Sequence, residues 1–168
     1  MSQTDIQSRL IEMAKAYLVV RMSGQINVPH WAKTTLRLLK LDKKFRATII
    51  PAKDNTNGML DAVKHYVSWQ EANLDITKEL LNKKGRKAGY KKITNDDVTK
   101  LGFKSIDELA ASVSEGKISM NKIDPIKPWF ALAPPKQGFK SRSTRKTYGE
   151  GGVLGQNKDL VDLVRKMI

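Results

Sequence analysis

Hydrophobic and polar positions change period several times along the chain, and each change marks an element. Ile6, Leu10, Met13 and Tyr17 recur at steps of three and four, which predicts a short amphipathic N-terminal helix over residues 1–15. The run "AYLVVRM" is apolar and β-branched and predicts a buried strand. After the turn "SGQINVP", Pro29 suits the start of a helix. On that helix Trp31, Thr35, Leu38 and Leu39 are expected to face inward, with Lys33, Arg37 and Lys40 on the other side. "RATIIP" predicts a second strand about 28 residues beyond the first, a separation that suits a right-handed parallel crossover. "DNTNGMLDAVKHYV" repeats the device, with Met59, Leu60, Val63 and Val67 on one side, and "VSWQEA" supplies a short third strand. Residues 16–73 therefore predict an α+β, ferredoxin-like βαβαβ core with both helices on one face of the sheet.

Residues 74–168 are patterned differently, as a helical and loop-rich extension. Asp75 is expected to cap a helix carrying Ile76, Leu80 and Leu81 and ended by Gly85. Two capping boxes, Thr94 with Asp97 and Ser105 with Glu108, open short helices that stop at Gly102 and Gly116. "KPWFALAPP" reads as an edge strand, because proline bounds it on both sides. Asn157 opens a terminal helix with Leu160, Val164 and Met167 on one face.

Composition narrows the chemistry. The 168 residues carry 31 Lys and Arg against 17 Asp and Glu, a net charge of +14 that attracts polyanions. The absence of cysteine excludes disulfides, thiolate zinc sites and thiol nucleophiles. The two histidines, His30 and His65, have no ligand spacing, so no metal is expected. No apolar run is long enough to span a bilayer and the N-terminus lacks the order of a secretory signal, so no membrane partner is expected. "GEGGVLG" fails the dinucleotide fingerprint, since Leu154 stands where the third glycine belongs, and "NDD" at 95–97 is a helix start. No acid–base set surrounds any serine or threonine. Neither catalytic residues nor a cofactor is expected.

The cations fall into three clusters. The first is Lys33, Arg37, Lys40, Lys43, Lys44 and Arg46. The second lies in "NKKGRKAGYKK", where Lys83, Lys84, Arg86, Lys87, Lys91 and Lys92 surround Tyr90 without an acid. The third is Lys136, Lys140, Arg142, Arg145 and Lys146 in "PPKQGFKSRSTRKTYGEGG". Cations neutralise phosphates, glycines let backbone approach them closely, and Tyr90, Phe139 and Tyr148 can stack on unpaired bases. A nucleic acid is the expected partner. Mutual repulsion in the third cluster predicts a segment that is mobile alone and ordered on RNA.

The stretches "VVRMSGQINVPHWAKTTLRLLKLDKKFRATIIP", "NTNGMLDAVKHYVSW", "LLNKKGRKAGYKKIT", "FKSIDELA", "PWFALAPPKQGFK" and "GGVLG" follow one another in an order that resembles the large-subunit ribosomal protein thirty family. The resemblance runs from about residue 16 to the end and is to the long archaeal and eukaryotic form, called large-subunit protein seven in eukaryotes. The chain lacks the basic N-terminal extension typical of eukaryotic members, so it looks archaeal. The resemblance implies a structural, cytoplasmic constituent of the large ribosomal subunit that binds large-subunit ribosomal RNA near the 5S RNA, beside other large-subunit proteins. A free-standing RNA-binding or chromatin protein is the alternative. It also implies RNA contacts from Lys33, Thr34, Thr35 and Arg37, and from the "KKGRKAGYKK" and "PPKQGFKSRSTRK" segments. His30 and Trp31 depart from the charged or small polar pair expected there, and inward packing of Trp31 would account for the change.

Overall fold

Residues 15–168 are described by a computed structural model, and the helix expected over residues 1–15 lies outside them except for Lys15. Six strands form one sheet in the order β4-β2-β1-β3-β6-β5. β1 (Ala16–Arg21) lies between β2 (Arg46–Pro51) and β3 (Val67–Glu71) and is antiparallel to both, with Val19 opposite Thr48 and Trp69. β4 (Phe130–Ala131) pairs antiparallel with the outer side of β2. On the other side β6 (Gly152–Gln156) runs parallel to β3, and β5 (Ser143–Thr147) forms the far edge.

The first connection departs from the expected parallel crossover. Because β1 and β2 are antiparallel, the segment between them leaves and re-enters the sheet at the same end. Helix α1 (His30–Leu38) has coil on both sides of it, which lets the chain double back. A long separation permits a crossover without requiring one. The parallel relation falls instead between β2 and β3, joined through α2 (Asp54–Ala62) with β1 inserted between them. Val67, expected on this helix, is the first residue of β3.

Strand alternation sends successive side chains of β1 to opposite faces, and both faces are covered. Val19, Ile50 and Val67 pack under α1 and α2 with Ala32, Leu36, Leu39, Leu60 and Val63, so both helices share one face as expected. Leu18, Val20, Ala47 and Ile49 face the other way, against the second half of the chain. There α3 (Leu74–Lys84), α4 (Asn95–Lys100), α5 (Ile106–Ser114) and α6 (Leu160–Met167) supply Ile76, Leu80, Val98, Leu109, Val113, Leu160 and Val164. Among the described residues no helix is long and apolar enough to cross a membrane.

Local chemistry explains the ends. At α4 both halves of the Thr94–Asp97 box are made. At α5 Ser105 accepts from the Glu108 amide, but Glu108 accepts from the Lys104 amide one residue earlier, so the second half is displaced. Helix α3 starts after Asn73, with Asp75 inside its first turn rather than capping it. Its end needs Gly85, because a Cβ there would overlap the Leu81 carbonyl. Before α6, the buried Asn157 accepts from the Asp159 amide and donates to the Val153 carbonyl.

Candidate nucleic-acid interface

Helix α1 presents its cations outward, as its sequence predicts, but its buried stripe is rotated by one residue. Ala32, Leu36 and Leu39 meet the sheet, whereas Trp31 is 56% exposed and Leu38 62% exposed. The small Ala32 allows the helix backbone close to the strands, and Trp31 is left outside. Lys33, Thr34 and Arg37 are exposed, with Thr35 half-buried. The Thr34 and Thr35 hydroxyls donate back to the carbonyls of His30 and Trp31. Lys40 follows in a left-handed conformation (φ 61°), and the Leu41 amide donates to the Leu36 carbonyl at 2.8 Å. That is a helix-ending motif in which Leu36 and Leu41 are both buried and Lys40 points into solvent.

Beside α1 opens a cleft of about 460 Å³ lined by Arg21, Gln25, His30, Lys33, Thr34, Arg37 and Asp42. Arg21, on the α1 face of β1, is only 2% exposed. Its guanidinium donates to the carbonyls of Leu41 (2.8 Å), Asp42 (2.9 Å), Ser23 (3.0 Å) and Gly24 (2.8 Å). Four backbone oxygens therefore hold a buried charge in place and tie β1 to the turns on either side of α1. Burial pulls the Arg21 pKa below its usual value, with the Asp42 carboxylate acting in the opposite direction. An arginine stays protonated through such a shift, so Arg21, Lys33 and Arg37 line the cleft with three cations against the one carboxylate of Asp42. The sequence reading placed Arg21 in a strand and gave it no part in the site; a lone arginine inside an apolar run was the available signal.

The second cluster is a turn pinned to a distant segment. Arg86 and Lys92 form a bridge, Lys87 forms another with Ile126, and the Lys127 amide donates to the Arg86 carbonyl at 2.8 Å. Lys83, Tyr90, Lys91 and Lys92 are exposed, and Lys84, Arg86 and Lys87 are half-buried. Lys87 differs from its neighbours: its ammonium donates to Asp97 Oδ2 at 2.7 Å, so its charge is matched. The same oxygen accepts from the Thr94 hydroxyl (2.7 Å) and amide (3.0 Å). Lys87 first, then Thr94, hold the Asp97 carboxyl well below the usual carboxylate range. This carboxylate belongs to a helix cap.

Lys43 and Lys44 are exposed in the turn before β2, and half-buried Arg46 begins the strand. Arg46 has Asp42 at 3.4 Å and lies over Trp129. Trp129, next to β4, was not singled out from the sequence. Its signal was the alternation in "WFA", which buries Phe130 and leaves Trp129 facing the other way.

The third cluster divides. Phe139 stacks on Phe45 with centroids 6.4 Å apart, which brings the Lys136–Lys140 part beside the turn before β2. There partial burial first, then Lys140, push the Lys166 ammonium below its usual range. Arg142 pairs with Asp159 at 3.1 Å. Arg145 and Lys146 are exposed on β5, four strand spacings from β2, or roughly 19 Å at about 4.8 Å per strand. The segment is expected as one loop, but its Ser143–Thr147 part forms a strand on β6, with a register break between Ser143 and Thr147. Close glycine approach here serves the chain itself, since a Cβ at Gly152 would overlap the Lys146 carbonyl.

The sequence matches the profile of the family described as "Ribosomal protein L30p/L7e" over residues 17–67. It is also 61% identical to "Large ribosomal subunit protein uL30" of Cenarchaeum symbiosum over 156 residues, 93% of this chain and 100% of that protein. The chain belongs to the L30p/L7e family. A protein of the same name from Nitrosopumilus maritimus is 55% identical over the same shares of both chains, and one from Staphylothermus marinus is 39% identical, covering 93% and 100%. The profile match ends inside β3, so it covers β1, β2 and the cleft beside α1. The similarity to the whole archaeal L30p/L7e proteins extends through the second half, which completes the sheet on both sides.

Proposed function

We propose that the chain is a structural, non-catalytic constituent of the large ribosomal subunit, in the cytoplasm, bound to large-subunit ribosomal RNA. The finer placement is near the 5S RNA, beside other large-subunit proteins. In this reading residues 16–73 form the core unit and residues 74–168 an extension that carries two of the three cationic clusters. The α1 cluster, the 83–92 turn and the 136–146 segment supply the phosphate contacts.

The observation that carries the reading is the α1 cleft. Lys33 and Arg37 are exposed and, among the described residues, meet no carboxylate within ion-pair distance. Behind them Arg21 holds a further charge whose hydrogen bonds all go to backbone carbonyls. Such a surface is electrostatically unfinished alone and gains when phosphates replace released counterions. Beneath it α1 packs on the sheet through Ala32 and Leu36, and Arg21 ties the turn after the helix to β1.

Sedimentation of large subunits through a high-salt gradient separates this function from a free-standing RNA-binding or chromatin protein. The protein is expected to remain with the subunit. Its quantitative release, with equal affinity for unrelated RNA and DNA, would overturn the assignment.

A further inference from the structure

Five side chains from three segments meet beside the β2–β4 edge. The Arg46 guanidinium carbon lies 3.9 Å from the centroid of the Trp129 ring. The Lys127 ammonium is 5.1 Å from that centroid and 5.4 Å from the centroid of Tyr90. Arg86 is 5.6 Å from Tyr90, and the two rings are 6.4 Å apart at 36°. All four cation distances fall within the range of cation–π attraction.

We propose that this ladder is a seat for one unpaired RNA nucleobase, with Tyr90 stacking on the base and Arg86 and Lys127 holding the adjoining phosphates. The inference rests on the RNA-binding function above and adds the kind of nucleotide bound. Tyr90 is 53% exposed although it is a large aromatic residue. Its φ is 61°, directly after Gly89 at 76°, a backbone state that tyrosine seldom adopts. The turn that imposes this state is firmly held. The Ala88 amide donates to the Pro125 carbonyl at 3.2 Å, and the Arg86 guanidinium donates to the carbonyls of Gly85 (2.8 Å) and Lys83 (3.2 Å). A turn held in place before its ligand arrives loses little backbone freedom on binding.

Charge selects the ligand. Arg46 has Asp42 nearby and backs Trp129, whereas among the described residues Arg86 and Lys127 pair with no carboxylate. Aromatic surface bordered by unmatched cations suits a base and its phosphates. A paired base inside an A-form helix has both faces covered, so the nucleotide must come from a bulge, loop or end.

The test uses the full chain and two RNA duplexes, identical except for one bulged 2-aminopurine. Both are titrated at one ionic strength and then across a salt series. The bulged duplex is expected to bind roughly 5- to 150-fold more tightly, the range one stacked base contributes, with quenching of the 2-aminopurine fluorescence. Tyr90→Asn keeps a residue that tolerates the left-handed turn and should abolish the preference, with the salt slope unchanged because no cation is lost. Trp129→Leu should weaken the preference, and Lys33→Gln should lower both affinities equally. Equal binding of the two duplexes by the unaltered protein, with a normal salt slope, overturns the base seat alone. Failure to bind either duplex overturns the RNA-binding function with it.

Discussion

The two outer regions of the sheet carry similar sequence and different structure. Around β4, the cations of the 83–92 turn stand beside Tyr90 and Trp129, fixed by backbone bonds to residues 125–127. Around β5, Arg145 and Lys146 project from a short folded ribbon whose aromatic neighbour, Tyr148, is half-buried where Tyr90 is exposed. Its hydroxyl donates to Asp159, and Arg142 lies 4.7 Å from its ring. In sequence both are cationic and interleaved with glycine. Folding turns one into a surface with shape as well as charge, and leaves the other with charge.

Stability offers the strongest way to break this contrast. Phe130 is fully buried beneath the β4 edge, so Phe130→Ala should cost about 3–5 kcal/mol in denaturant unfolding and loosen Trp129 with it. An unchanged unfolding midpoint would show that β4 is not anchored as described. At the other edge, Gly152→Ala forces a Cβ into the Lys146 carbonyl and should cost about 1–3 kcal/mol. Protease should then cut first between residues 143 and 151 in that variant. Cleavage unchanged from the parent would argue that β5 does not depend on this approach.

Salt dependence sharpens the electrostatic side. Replacing Arg86, Lys91 and Lys92 by Gln should flatten the slope of log K against log salt by up to about 2.1–2.7, at roughly 0.7–0.9 per phosphate contact. Replacing Arg145 and Lys146 should flatten it by up to about 1.4–1.8 on the same basis. Only the first set should also reduce any preference for unpaired nucleotides. If the β5 pair alters that preference instead, the roles of the two edges are reversed.

The smallest effect concerns Asp97, which ties the 83–92 turn to α4 through Lys87. Its folded pKa is depressed, so its stabilisation is complete above the ordinary carboxylate range near pH 4. As pH falls further the unfolded chain takes up the proton first, and the contribution is lost progressively toward the lower folded pKa. Asp97→Asn should therefore lower stability at neutral pH and flatten the acid limb of the stability profile. Parallel acid limbs in the parent and variant would contradict the ion pair.

Much of this architecture was legible in the sequence because the signals were local. Thr94 and Asp97 name a helix start by their spacing, and Leu160, Val164 and Met167 name a buried face. The readings that failed needed information from elsewhere in the fold. Trp31 and Leu38 are the larger apolar groups, yet the sheet accepts Ala32, because close packing rewards a small residue at the point of contact. The direction of β2 depends on how coil on both sides of α1 turns, which the number of residues does not specify. Glycines hid β6, although Val153 and Leu154 between them are buried in its centre. Trp129 and Tyr90 lie far apart in sequence, so only the pinned turn reveals them as neighbours.

Crosslinking within purified large subunits, with identification of both the peptide and the RNA, tests the central claim most directly. The account predicts RNA-linked peptides from α1 at Lys33–Lys40 and from the turn at Lys83–Lys92, both joined to large-subunit ribosomal RNA. Crosslinks from these two regions to protein alone, with RNA attached only elsewhere on the chain, would contradict it.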